Sequence, residues 1–184
     1  MMLPLPQPLF LLFFVLGFFY FVLAGARAFE RDDSDDFASG LGQFSFLCTG
    51  ALASWFIGRG MTVYVWNGLA GALLMAAALA LYEWARRTIH GRKFHIAWSG
   101  DVPDTVCDSG PYRFVRHPLY LGYMLAFLAM AIALPSIWSA AILLFNVGLF
   151  THAGFSDERS IAESPLAADY AAYRKRAGMF LPRL

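Results

Sequence analysis

The sequence predicts an all-α integral membrane protein with five transmembrane helices, and three observations predict it. Its 184 residues are 59% hydrophobic and 15% charged, too little polar surface to cover a soluble globule of this size. Apolar runs recur at Leu9–Ala26, Phe37–Ile57, Thr62–Tyr82, Leu119–Leu134 and Ser136–Thr151, each near the roughly 20 residues a spanning helix needs. Five crossings also gather 13 of the 14 Lys and Arg on one side, with only Arg59 opposite.

The first run ends in Ala24, Gly25 and Ala26, which resembles a small-residue cleavage site. Met1–Pro8 carries no Lys or Arg, however, whereas a signal peptide normally starts with positive charge, so a retained helix is expected. The acidic cluster Glu30, Asp32, Asp33, Asp35 and Asp36 then reads as a solvated loop. The second run is needed by the charge pattern: without it, Arg27, Arg31 and Arg59 would oppose the other 11 basic residues. In the third run Gly68, Ala72, Ala76 and Ala80 recur every four residues, which predicts a small-residue face open to another helix.

The last two runs are short, so a tight hairpin around Pro135 is expected, with the fifth helix extending towards Phe155. The positive-inside rule puts loops 27–36 and 83–118 and the tail 152–184 in the cytoplasm and the N-terminus outside. This divides the chain into a three-helix membrane region, 1–82, and a region 83–184 of loop, hairpin and tail. A net charge of +1 gives no field to recruit nucleic acid. Cys48 and Cys107 form no disulfide framework and no metal-ligand spacing, so no metal is expected.

Three polar blocks stand out on the cytoplasmic side. In the string GPYRFVRHPLYLG, Gly110–Gly122, a turn leads into a helix whose first turn suits Pro118. His117 is driven away from helical geometry by the proline that follows it. Backbone N–H groups at that helix start, beside Arg116, suit a carboxylate or phosphate, and Tyr112 and Tyr120 offer stacking faces. The second block is His152, Asp157, Glu158 and Arg159, whose adjacent carboxylates suit a ligand with positive charge. The third is the tail DYAAYRKR, with Tyr170 and Tyr173 on one helical face and a basic run behind them. Each block has a plainer reading when taken singly: cations snorkelling into headgroups, a solvated acidic turn, and an amphipathic helix lying on anionic lipid.

Taken together and in order, the three blocks, the tail closing on Phe180, Leu181 and Pro182, resemble the isoprenylcysteine carboxyl methyltransferase family and its phospholipid methyltransferase relatives. The resemblance covers roughly residues 83–184. It implies a membrane-embedded methyltransferase using S-adenosylmethionine, with loop and tail capping a cofactor pocket. Carried over position by position, the family's cofactor contacts fall on Asp104, Thr105, Val106, Cys107, Tyr112, His117, Pro118, Leu119 and Tyr120, and its acidic pair on Asp157 and Glu158, with Ile161 as the aliphatic residue beyond. Glu158 has the longer reach and is the expected contact, with Asp157 as its partner. His152 is the candidate base if the nucleophile must lose a proton.

Two departures bear on the substrate. Where eukaryotic prenylcysteine enzymes place an arginine before the acidic pair, this chain has Thr151, His152, Ala153, Gly154, Phe155 and Ser156, which weakens the case for a prenylcysteine carboxylate. The tail has Ala167 and Ala168 where Phe-Gly is common, and Gly178 where a proline often sits. The expected acceptor is a lipophilic small molecule or a lipid-modified group, met among membrane lipids. Two alternatives remain: an oxidoreductase resembling the sterol reductases and binding NADPH, and a scaffold of the same fold without catalysis.

Overall fold

The computed structural model describes residues 7–28, 48–51, 55, 63–89 and 105–183. Among these the chain is helical: α1 is Gln7–Ala28, α2 Val65–Ile89, α3 Pro118–Ala133, α4 Ile137–Ala162 and α5 Ala167–Arg176, with a 3-10 turn at Gly110–Arg113. The one pairing outside helices among the described residues is an isolated parallel bridge between Val115 and Gly178. Most of the second predicted helix, the acidic loop and Asp104 lie outside the described residues; positions 48–51 and 55 are helical.

α2 and α4 are long and apolar enough to cross a membrane, while Leu12–Ala24 of α1 and all of α3 are apolar but shorter. Large apolar side chains project outward from both long helices: Trp66 is 78% and Leu144 71% exposed. An apolar exterior of this kind suits lipid better than water.

α2 and α3 make the most extensive helix pair. The buried face of α2 runs through Gly68, Gly71, Met75, Ala78, Tyr82, Ala85 and Ile89. This corrects the expected small-residue face, because Ala76 and Ala80 are exposed. A repeat of four residues drifts about 40° per step around a helix of 3.6 residues per turn, so it leaves the contact after one or two steps. Close approach comes at Gly71, where a Cβ would stand 2.7 Å from the carbonyl oxygen of Ala129.

α1 and α2 point the same way, since Gly17 lies against Met75 and the Tyr20 hydroxyl donates to Glu83. Glu83 also accepts from Arg86 at 2.8 Å and Arg87 at 2.5 Å. The core between α1, α2 and α3 is dominated by Phe14, Phe18, Phe21, Met75, Tyr82, Phe127 and Met130.

The hairpin around Pro135 forms as expected, closed by a capping box in which Ser136 and Ser139 satisfy each other's backbone N–H at the start of α4. α4 then continues to Ala162, well beyond Phe155. The acidic pair therefore sits on the helix, not in a turn after it. No glycine or proline interrupts the run from Phe155 to Ala162, and Asp157 and Glu158 have partners on the side that faces the protein.

Candidate functional site

Polar residues of all three blocks meet at the end of the bundle where α2 ends, α3 begins and α4 leaves its apolar stretch. Gly110 makes this possible: its φ of 56° lies in the left-handed region, and a Cβ there would collide with Thr88 of α2. The 3-10 turn thus folds tightly under α2 and delivers residues 115–117 as a short non-helical segment ahead of α3.

The tail completes the layer. Gly178 N–H donates to Phe114 O at 3.2 Å, Arg116 N–H to Gly178 O at 2.8 Å and His117 N–H to Met179 O at 3.2 Å. These backbone bonds hold the segment before α3 against the residues that follow α5. On the opposite side Gly154 of α4 leaves room for both: a Cβ there would be 2.7 Å from Met179 Cε and 3.5 Å from the His117 ring.

Glu158 is the centre of the cluster. Its Oε1 accepts from Arg116 Nε at 2.7 Å and faces His117 Nε2 at 3.2 Å, while its Oε2 lies 3.3 Å from Arg174 Nε of α5. The side chains of Glu158, Arg116 and His117 are 5%, 7% and 10% exposed, whereas Arg174 is half-exposed. Arg116 also donates from Nη1 to the carbonyl of Ala177 at 2.6 Å. One carboxylate therefore ties together α3's lead-in segment, α4, α5 and the tail, and low exposure strengthens each contact.

Beside it, Asp157 Oδ2 accepts from the Tyr120 hydroxyl at 2.8 Å. The ring of Tyr120 stacks on His117 at 5.5 Å with an interplanar angle of 4°, and on Phe150 at 5.7 Å and 25°. Phe150 in turn stacks on Tyr123 at 5.1 Å, and the Tyr123 and Tyr82 hydroxyls are 3.0 Å apart. A ladder of rings thus leads from the charged cluster into the apolar bundle. At the top of α3, Leu119 and Tyr120 present first-turn N–H groups with no acceptor among the described residues, while Leu121 N–H bonds His117 O.

The remaining expected residues fall nearby but not in this cluster. Cys107 and Tyr112 pack with Ala85 and Ile89 beneath the turn, and Val106 packs against Tyr170, Tyr173 and Ala177. Thr105 is exposed, Pro118 is buried, and Leu119 packs on the cores at both sides. The Tyr173 hydroxyl donates to Tyr112 O at 2.6 Å, and burial pushes the Tyr112, Tyr170 and Tyr173 phenols above their ordinary range.

His152 is exposed and is not brought to the cluster. At 100° per residue it points about 120° away from Glu158 around α4. Arg174, Phe150, Phe180 and the Ala177 carbonyl are the parts that the sequence reading missed. Arg174 was visible as the first cation after Tyr173, but a basic run gives no sign of which member turns inward. Among the described residues no group of three or more His, Cys, Asp or Glu could hold a metal ion.

Residues 66–163 match the phospholipid methyltransferase family. Among curated proteins, methanethiol S-methyltransferase of Pseudomonas sp. strain GM41(2012) is 26% identical over 132 residues, 68% of this chain and 47% of that protein. The cobalt-zinc-cadmium resistance protein CzcN of Cupriavidus metallidurans is 33% identical over 86 residues, 47% of this chain and 39% of that protein. The chain thus spans half or less of the length of these relatives.

Proposed function

This chain belongs to the phospholipid methyltransferase family, and on that premise we propose that it is a membrane-embedded methyltransferase that uses S-adenosylmethionine to methylate a lipophilic small molecule or lipid-modified acceptor. Family membership and two apolar helices point to a membrane protein. The observation that carries the finer reading is the meeting of His117 with Glu158, at 3.2 Å across 41 positions of sequence, beside Asp157 held by Tyr120. Polar groups from the loop, from α4 and from the tail converge at one end of an apolar bundle.

The donor set fits the cofactor. S-adenosylmethionine carries a carboxylate, an ammonium, a ribose and a flat base, and needs N–H donors, a carboxylate and ring faces together. The Leu119 and Tyr120 N–H groups suit its carboxylate, Asp157 its ammonium or ribose, and the Tyr112 and Tyr120 neighbourhood its flat part. Glu158 is engaged by Arg116, His117 and Arg174, so Asp157 is the better placed of the pair for the cofactor and Glu158 holds the layer together. When bound, the cofactor supplies a methyl group on a sulfonium whose sulfur leaves as a neutral thioether. The chain's own part is to orient donor and acceptor and to exclude water.

The acceptor would reach the ring ladder from between the helices, and the cofactor from the side of the tail. The basic bias supports a cytoplasmic position for that side, with the N-terminus outside. The Pseudomonas relative is named for methylating methanethiol at sulfur, which supports a small, uncharged acceptor over a prenylcysteine carboxylate. Neither metal nor nucleic acid enters this reading.

Thermal unfolding of the detergent-purified protein tests it. S-adenosylhomocysteine is expected to raise Tm and NADPH to leave it unchanged; Asp157→Asn is expected to abolish the rise while keeping the ligand-free Tm within a few degrees. Stabilisation by NADPH and none by S-adenosylhomocysteine would replace the methyltransferase with the oxidoreductase.

A further inference from the structure

The exposed position of His152 leaves its expected role unfilled, and the geometry around His117 fills it. Glu158 is a carboxylate held by two arginines, and a carboxylate only accepts hydrogen bonds. His117 Nε2, at 3.2 Å from Glu158 Oε1, must therefore carry the hydrogen. In the neutral ring the lone pair then lies on Nδ1, which has no hydrogen-bond partner among the described residues. Stacking on Tyr120 and contact with Phe180 fix the ring plane.

The groups around the ring come from every adjoining element. Arg116 precedes it, Glu158 and Asp157 come from α4, Arg174 and Tyr170 from α5, Tyr120 from α3, and the tail contributes the apolar Met179 and Phe180. Among the described residues two arginines balance two carboxylates, which leaves no spare positive charge. Arg159 is exposed and pairs with Glu163, and Arg113 is exposed. Among the described residues an acceptor carboxylate would find no unengaged cation there.

Resting on the methyltransferase reading, we propose that His117, oriented by Glu158, is the base of this site and that the acceptor is a molecule whose nucleophilic atom carries a proton at neutral pH, not a carboxylate. The acceptor's proton passes to Nδ1, its bonding pair stays on the nucleophilic atom, and the new positive charge on the ring faces Glu158. Charge within the site is conserved, because the acceptor gains one negative charge as the ring gains one positive. The proton then leaves the imidazolium to water on the side of the tail.

His117→Gln tests this, since the amide can keep the bond to Glu158 and has no base. The probes are octanethiol, an aryl thiol acidic enough to be ionised at the assay pH, and a fatty carboxylate. Measured at saturating S-adenosylmethionine, the variant is expected to lose about 100-fold or more in kcat with octanethiol. With the ionised aryl thiol the loss should stay below about tenfold. A second readout needs no turnover: octanethiol bound beside S-adenosylhomocysteine should show ultraviolet thiolate absorbance at neutral pH in the wild type and none in His117→Gln. Equal losses with both thiols, no thiolate signal in the wild type, or preferred methylation of the carboxylate would each overturn the inference and leave the methyltransferase standing. Failure of S-adenosylhomocysteine to stabilise the wild type would remove both.

Discussion

A single buried carboxylate decides how the polar end of this bundle is arranged. Glu158 is met by Arg116, His117 and Arg174, and removing its charge leaves Arg116 buried with the Ala177 carbonyl as its one remaining partner among the described residues. Breaking a buried pair in this way costs about 3–5 kcal/mol. Glu158→Gln is therefore expected to lower Tm markedly and to loosen the tail, which limited proteolysis after α4 would report. Arg174 is half-exposed, so Arg174→Ala should cost no more than about 1 kcal/mol, read from the same unfolding curves. A larger loss for Arg174→Ala than for Glu158→Gln would mean that the carboxylate is not the hub. Asp157 differs from its neighbour in having the Tyr120 hydroxyl as a donor, which fits it for a ligand more than for holding the layer.

At the scale of elements, α2 and α3 depend on a narrow contact at Gly71. A side chain there meets the Ala129 carbonyl and the Ala133 methyl, both parts of a helix that cannot yield locally. Gly71→Val is expected to cost about 1–3 kcal/mol and to lower the yield of folded protein, measured as monodisperse material after detergent extraction. Unchanged yield and Tm would show that the two helices separate freely. α5 is held differently, by Tyr170 and Tyr173 packed on Val106 and Ile161. Burial raises both phenols above their ordinary value of about 10 in the folded state. A raised folded value means that the folded form holds its proton more tightly, so this contribution is intact below about pH 10 and is lost as pH climbs beyond it. Protease sensitivity between α4 and α5 should accordingly stay flat through neutral pH and rise only in that alkaline range.

For the whole molecule, the tail is packed into the polar cluster and is not an appendage. Its backbone pairs with residues 114–117, and its carbonyl at Ala177 takes the Arg116 guanidinium. A chain ending at Arg176 is expected to insert in membranes like the full chain yet lose stabilisation by S-adenosylhomocysteine. Full retention of that stabilisation would detach the tail from the site. Much of this molecule was legible in its sequence. Apolar runs of helical length are a local property, and the solvent they need follows from their composition, so α1, α2, α3 and the hairpin at Pro135 could be marked out from residue order. The string Gly110–Gly122 and the pair Asp157–Glu158 announced themselves because ionisable groups are costly beside an apolar span. Which of these groups would touch could not be read there: helical drift turned Ala76 and Ala80 outward, carried His152 away from Glu158, and set Arg174, not Lys175 or Arg176, against Glu158. Composition and periodicity fix what each segment is, because they act over a few residues, whereas the partner of a buried charge is chosen by segments 40 to 60 positions apart whose mutual rotation only the packed bundle sets.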